Sequence, residues 1–334
     1  MDDSQGDMSP FKSSFTYVFY LAQIALLVVI VLQNDRMQQL LLDRTISSTS
    51  EQAPTQAEEV LRVDYSNDPD NIDPLPASDT VSEEFRQYVC EYLGTRRQET
   101  PEEWEPILAE SWEQTEDGKT ITVRLRQDRK WHRVAVEGHH TFEAEPFDAD
   151  DVLFSWTMVH LNTQSKTENL KPYLELLDRF EKIDQYTVRW HWKETYFKAL
   201  ETVLFLFEIA PEHFYTRDMD GNPLPGADDI TSAEFAKQFN NHWSNKEYLC
   251  GTGPYVLQKY DRTDGIAVKA KNSDYRGGKQ ANLPEIRYIR VPDENTSYNK
   301  FIAGEIDNRA TRPKEYENKL KSEPRFQSGE VAAA

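Results

Sequence analysis

Residues 251–307 do most to limit what this chain can fold into. The stretch opens on Gly251-Thr252-Gly253-Pro254-Tyr255, a glycine-rich turn in which the proline removes a backbone donor. An alternating run, Ile266-Ala267-Val268-Lys269-Ala270, predicts a strand, and Asn272-Ser273-Asp274-Tyr275-Arg276-Gly277-Gly278-Lys279 punctuates it. A helix is predicted over Glu294–Ile302, and Ala303-Gly304-Glu305-Ile306-Asp307 closes the stretch. The glycines do not read as a phosphate cradle, because Pro254 lacks an N–H and no Lys-Ser/Thr pair follows. They read as a tight turn into a strand.

The same punctuation recurs upstream. Residues 61–65 predict a short opening strand, and Asn71-Ile72-Asp73-Pro74 a turn. Thr80 and Glu83 have capping-box spacing, and Val81, Phe85, Tyr88, Val89 and Tyr92 share one face of the helix expected after them. Cys90 points away from that face, toward solvent or another subdomain. Residues 121–126 alternate, with Ile121, Val123 and Leu125 inward and Thr122, Arg124 and Arg126 outward. Residues 186–192 set Tyr186, Val188, Trp190 and Trp192 on one side, with His191 solvated on the other. Asp148 and Asp151 predict a capped helix running to about Leu161, and Thr231 with Glu234 a second capping box. Strands and helices mix without the regular alternation of a doubly wound sheet, so the fold class is α/β of the mixed α+β kind.

Composition narrows the function classes. With 58 Asp and Glu against 38 Lys and Arg, the net charge is −20. Such a field repels phosphate backbones, and no basic aromatic stripe offsets it, so nucleic acid is excluded as a partner. Two cysteines, Cys90 and Cys250, are too few for a disulfide scaffold, and whether they pair stays open.

Residues 15–32 read FTYVFYLAQIALLVVIVL, a run of about 18 residues that approaches the thickness of a bilayer's hydrocarbon core. No small-residue cleavage site follows, which predicts an uncleaved anchor at 15–33 behind a short cytoplasmic tail at 1–14. Residues 34–59 contain a Ser/Thr/Gln-rich tether. Lys12 precedes the run while Arg36 and Arg44 follow it, so basic residues alone favour the opposite orientation.

No motif names a catalytic residue. His132, His139 and His140, with Glu137, Glu143 or Glu145, form the most ligand-like cluster, but a polar surface insertion is the favoured reading of them. Asp148, Asp150 and Asp151 suit a helix start without acid–base chemistry. No catalytic residue, cofactor or bound metal is expected.

Several segments in this order resemble the peptide- and nickel-binding receptors of ABC transporters, the extracellular solute-binding proteins of family 5. They are Ile72-Asp73-Pro74, Leu108-Ala109-Glu110-Ser111-Trp112-Glu113, Thr122–Arg126 followed by Lys130-Trp131-His132, and Pro146-Phe147-Asp148-Ala149-Asp150-Asp151-Val152. Gly251-Thr252-Gly253-Pro254-Tyr255, Asn272-Ser273-Asp274-Tyr275 and Ala303-Gly304-Glu305-Ile306-Asp307 complete the set. The resemblance implies a periplasmic-binding-protein-like type II clamshell that closes on a peptide and delivers it to a membrane permease. It covers the first lobe, 60–308, with 309–334 an approach to the hinge. It implies a body in the periplasm or extracellular space, and as partners a peptide, an ABC permease and a separate chain supplying the second lobe. Cleft-lining positions of the first lobe correspond to Ser78, Asp79, Thr80 and Tyr173. The family's Trp-His-Asp-Gly turn is replaced here by Trp131-His132-Arg133 and an insertion through Glu145. One lobe without its closing contacts should bind peptide at millimolar strength or below detection. Two other readings stand beside the receptor: an anchored single-lobe interaction protein, and an extracytoplasmic metal-dependent hydrolase built on the histidine insertion.

Overall fold

The alternating runs become two four-stranded sheets in the computed structural model, which describes residues 59–75, 79–97, 99–278, 280–308, 322 and 324. In chain order the elements are β1 (Val60–Tyr65), α1 (Thr80–Arg86), β2 (Gly94–Arg96), β3 (Trp104–Pro106), β4 (Ala109–Gln114), β5 (Thr120–Leu125), β6 (Val134–Ala135) and β7 (Thr141–Phe142). Next comes α2 (Ala149–Trp156), which runs into a π turn at Thr157–Leu161 and a 3-10 turn at Lys171–Leu174. Then come β8 (Leu177–Asp184), β9 (Thr187–Trp192), α3 (Ala199–Phe205), α4 (Glu212–Tyr215), α5 (Ala233–Phe239), β10 (Tyr255–Asp261), β11 (Ile266–Lys271), β12 (Glu285–Arg290) and α6 (Glu294–Ile302). The segment Arg97–Glu103 groups apart from these elements. Within it the Arg97 guanidinium pairs with the Glu103 carboxylate at 3.1 Å.

The first sheet has the order β1-β12-β11-β10. β12, β11 and β10 form an antiparallel meander, while β1 joins β12 in parallel, with Leu61 opposite Ile286 and Val63 opposite Tyr288. The second sheet, β4-β5-β9-β8, is antiparallel throughout. Its alternation is the one expected: Ile121, Val123 and Leu125 are buried, as are Val188, Trp190 and Trp192. Trp190 meets Trp156 of α2 edge to face at 5.3 Å, so helix and sheet share one aromatic core.

Capping shows where spacing succeeds and where it slips. Asp148 and Asp151 form a reciprocal capping box on α2, as expected. At α1, however, the N-cap is Asp79 rather than Thr80: its carboxylate accepts the Ser82 N–H at 2.9 Å. At α5 it is Ser232 rather than Thr231, accepting from Phe235 N at 3.1 Å while Thr231 donates its hydroxyl to Asp229. In both cases the acceptor one residue off competes for the same N–H groups and wins.

α1 is also shorter than the apolar face implies. Tyr88 takes φ +66°, outside the helix, and the carbonyls of Tyr88 and Val89 accept from Tyr255 N at 3.0 Å and Gly253 N at 2.9 Å. The glycine turn competes for the backbone that would have continued the helix. Cys90 is therefore buried, not exposed, and both cysteines are free thiols. His191 is paired rather than solvated, 2.8 Å from a Glu181 carboxylate oxygen. Among the described residues no helix is long and apolar enough to cross a membrane. The expected anchor at 15–33 and its tail and tether through residue 58 lie outside the described residues.

Candidate functional site

Two of the four expected ligand-facing positions are found at the start of α1. Asp79 and Thr80 stand together there, both exposed, with the Asp79 carboxylate also turned onto the helix through Ser82. Tyr173 is half-buried on the 3-10 turn that leads into β8, where its N–H donates to Leu170 O at 3.1 Å. It belongs to an element of the second sheet's side, whereas α1 lies on the first sheet. Ser78 lies outside the described residues.

The chain approaching α1 is held from below. Ile72 is fully buried and its N–H donates to Asn245 O at 2.9 Å. Asp73 is buried beside it and accepts from Tyr215 Oη at 2.9 Å and Ser244 Oγ at 3.2 Å. Burial pushes the Asp73 carboxyl up to about 7, against the pull of those two donors and of Arg86. The Ile72-Asp73-Pro74 motif thus acts as an anchor for the segment before the helix.

α1 itself rests on the first sheet. The Phe85 ring meets Tyr65 of β1 at 5.4 Å, Tyr260 of β10 at 4.7 Å and Tyr288 of β12 at 5.8 Å. Arg86 makes a buried ion pair with Glu208 at 3.3 Å. Gly251 and Gly253 allow the close approach behind it: a Cβ would fall 1.9 Å from Val89 O at the first and 2.3 Å from Tyr88 O at the second. Lys269 of β11 is fully buried and reaches the end of α1 with its ammonium. Sequence reading missed Lys269, Arg86 and Glu208, because a lone charge in an apolar alternation carries no sign of which face is covered.

The histidine insertion does not converge. His132 is buried with its Nε2 2.9 Å from Gly253 O, and burial holds it down at about 4. His139 pairs with Asp220 at 2.8 Å, and His140 sets its ring against Phe142 at 5.0 Å. Asp150 pairs with Lys182 at 2.6 Å. Asp151, pushed up to about 7 by burial, accepts from Trp131 Nε1 at 2.8 Å and Glu212 N at 3.0 Å. Among the described residues no group of three or more His, Cys, Asp or Glu side chains is arranged to hold a metal ion. Packing and capping account for the side chains that suggested a hydrolase.

The structure is similar to the ABC transporter-associated periplasmic binding protein DppA from Helicobacter pylori in complex with peptide STSA, with a TM-score of 0.61 and 22% identity. That likeness covers 79% of this chain and 49% of that one. Residues 103–333 match the family model of the bacterial extracellular solute-binding proteins, family 5 middle, and the chain belongs to that family. Its relatives are binding proteins rather than enzymes. The dipeptide-binding protein DppE of Bacillus subtilis is 24% identical over 260 residues, covering 77% of this chain and 44% of the relative. Di/tripeptide-binding protein 2 of Pseudomonas aeruginosa is 32% identical over 189 residues, covering 53% and 31%. The chain therefore spans less than half the length of either relative.

Proposed function

We propose that the chain provides peptide-binding surface in the extracytoplasmic receptor of an ABC peptide importer, tethered to the membrane through residues 15–33. The observation that carries this reading is the family match over residues 103–333, together with relatives named for dipeptide and di/tripeptide binding. The start of α1 supports it locally. Asp79 and Thr80 are exposed polar side chains on a rigidly backed helix, and an extended peptide offers free N–H and C=O groups for such partners to meet. Ser78 and Tyr173 complete the proposed set of contacts. A ligand held by these groups alone stays partly solvated, so each bond formed replaces one to water and the net gain is small.

The test is titration of the purified chain with di- and tripeptides, followed by amide NMR. The expected result is a saturable shift at Asp79 and Thr80 with a millimolar dissociation constant, weakened by Asp79→Ala. Shifts confined to β4, β5, β8 and β9, or none at any peptide concentration, overturn the reading. Micromolar binding in calorimetry would keep the receptor and sink the expectation of weak affinity.

A further inference from the structure

α1 has only seven residues, too few to persist in water without tertiary contacts. Its final carbonyls show how it is kept. Glu83 O accepts Gln87 N at 2.8 Å, and Arg86 O accepts Val89 N and Cys90 N, each at 2.9 Å. Glu84 O and Gln87 O turn to Lys269 instead, whose Nζ lies 2.6 and 2.9 Å away. The third ammonium donor points to Tyr288 Oη at 3.1 Å, and the Tyr288 ring centroid is 4.4 Å from Nζ. All three donors of a fully buried lysine therefore have protein acceptors, and two of these belong to the negative end of a helix.

We propose that Lys269 is a positioning residue for the candidate binding edge: by holding the Glu84 and Gln87 carbonyls it fixes α1 on the first sheet and sets where Asp79 and Thr80 stand. The inference rests on the reading of Asp79 and Thr80 as ligand-facing. A buried amino group suits the task because sliding or tilting the helix would leave its N–H donors without acceptors, which is costly. Phe85 supplies attraction over a broad ring cluster, whereas Lys269 supplies a directional constraint that packing alone lacks.

The experiment is hydrogen exchange on the full chain, with peptide titration in parallel. Lys269→Met keeps the length of the side chain and removes its donors. Exchange should rise about tenfold at Ser82, Gln87 and Cys90, while Val123 and Val188 of the second sheet stay near their original rates. Tyr288→Phe removes one acceptor and keeps the ring, and should give the same local pattern at about threefold, which preserves the test if the methionine variant does not fold. Peptide affinity should fall in step with the loss of protection. An equal rise in both sheets, or no rise at α1, overturns the proposal, as does unchanged peptide affinity in a variant whose α1 has loosened. If α1 loosens while the original chain shows no response to peptide, the binding reading fails and the anchoring of α1 by Lys269 stands.

Discussion

The two sheets bury their faces by different means. In β4-β5-β9-β8 the covered face is apolar, with Trp190 and Trp192 at its centre, and every strand pairs in antiparallel fashion. In β1-β12-β11-β10 the covered face mixes Tyr65, Tyr260 and Tyr288 with a lysine, and one strand comes from the far end of the body. The first kind of sheet gains its stability from area removed from water. The second buries Leu61, Val63 and Ile286 as well, but adds polar groups that each need a partner. It is the second kind that backs α1, where Asp79 and Thr80 stand and fixed orientation matters more than adhesion.

The largest test of this contrast is Gly251→Ala, since its Cβ would lie 1.9 Å from the Val89 carbonyl oxygen. A loss of more than about 4 kcal/mol is expected in denaturant unfolding, or no folded protein at all. Gly278→Ala, with nothing within 4 Å of the added carbon, should stay within about 0.5 kcal/mol. Equal effects from the two would remove the close approach as the reason for the glycine turn.

Removing an aromatic that packs in the core of either sheet comes next. Trp190→Ala and Phe85→Ala should each cost about 3–5 kcal/mol, the range for emptying a packed ring site. The distinction lies in hydrogen exchange: Phe85→Ala should expose β11 and β12 first, and Trp190→Ala β5 and β9. If both variants lose protection evenly, the sheets form one cooperative unit and the contrast is confined to composition.

The last test is a pH dependence. Burial raises Asp73 from its ordinary value of 3.8 to about 7, so the folded state keeps a proton that the unfolded chain has already released. Stability from this group is therefore full below the lower value and is lost as pH rises toward 7. Relative to Asp73→Asn, which keeps an acceptor for Tyr215, the original chain should lose about 4 kcal/mol between about pH 4 and about pH 8. A stability difference that does not change with pH would show the carboxyl to be ionised throughout.

The second sheet was largely legible in the sequence, because its strands have one wet face and alternation reports that directly. Ile121, Val123, Val188 and Trp190 fall where spacing put them. The first sheet was only half legible. Strands at 61–65 and 266–270 were expected, but Ala267 and Lys269 take the covered side while Ile266, Val268 and Ala270 stay half-buried. In β11 the outer face carries apolar Ile266, Val268 and Ala270 while the covered face carries Lys269, so alternation points to the wrong side. Helix starts slipped by one residue wherever two acceptors stood side by side, as at Asp79-Thr80 and Thr231-Ser232. Of the proposed contacts, Asp79 and Thr80 came from family likeness rather than from spacing. The lysine behind them had no local signal, because what buries it is a helix far away in sequence.

The pairing of β1 with β12 has a consequence for how the chain comes into being. β1 emerges early in synthesis, but its parallel partner begins only at Glu285, after the whole second sheet has been made. Antiparallel neighbours such as β8 and β9 can close over short loops, whereas β1 must wait with both edges bare. In any chain made from its amino terminus, that delay keeps the first sheet open until β12 has arrived.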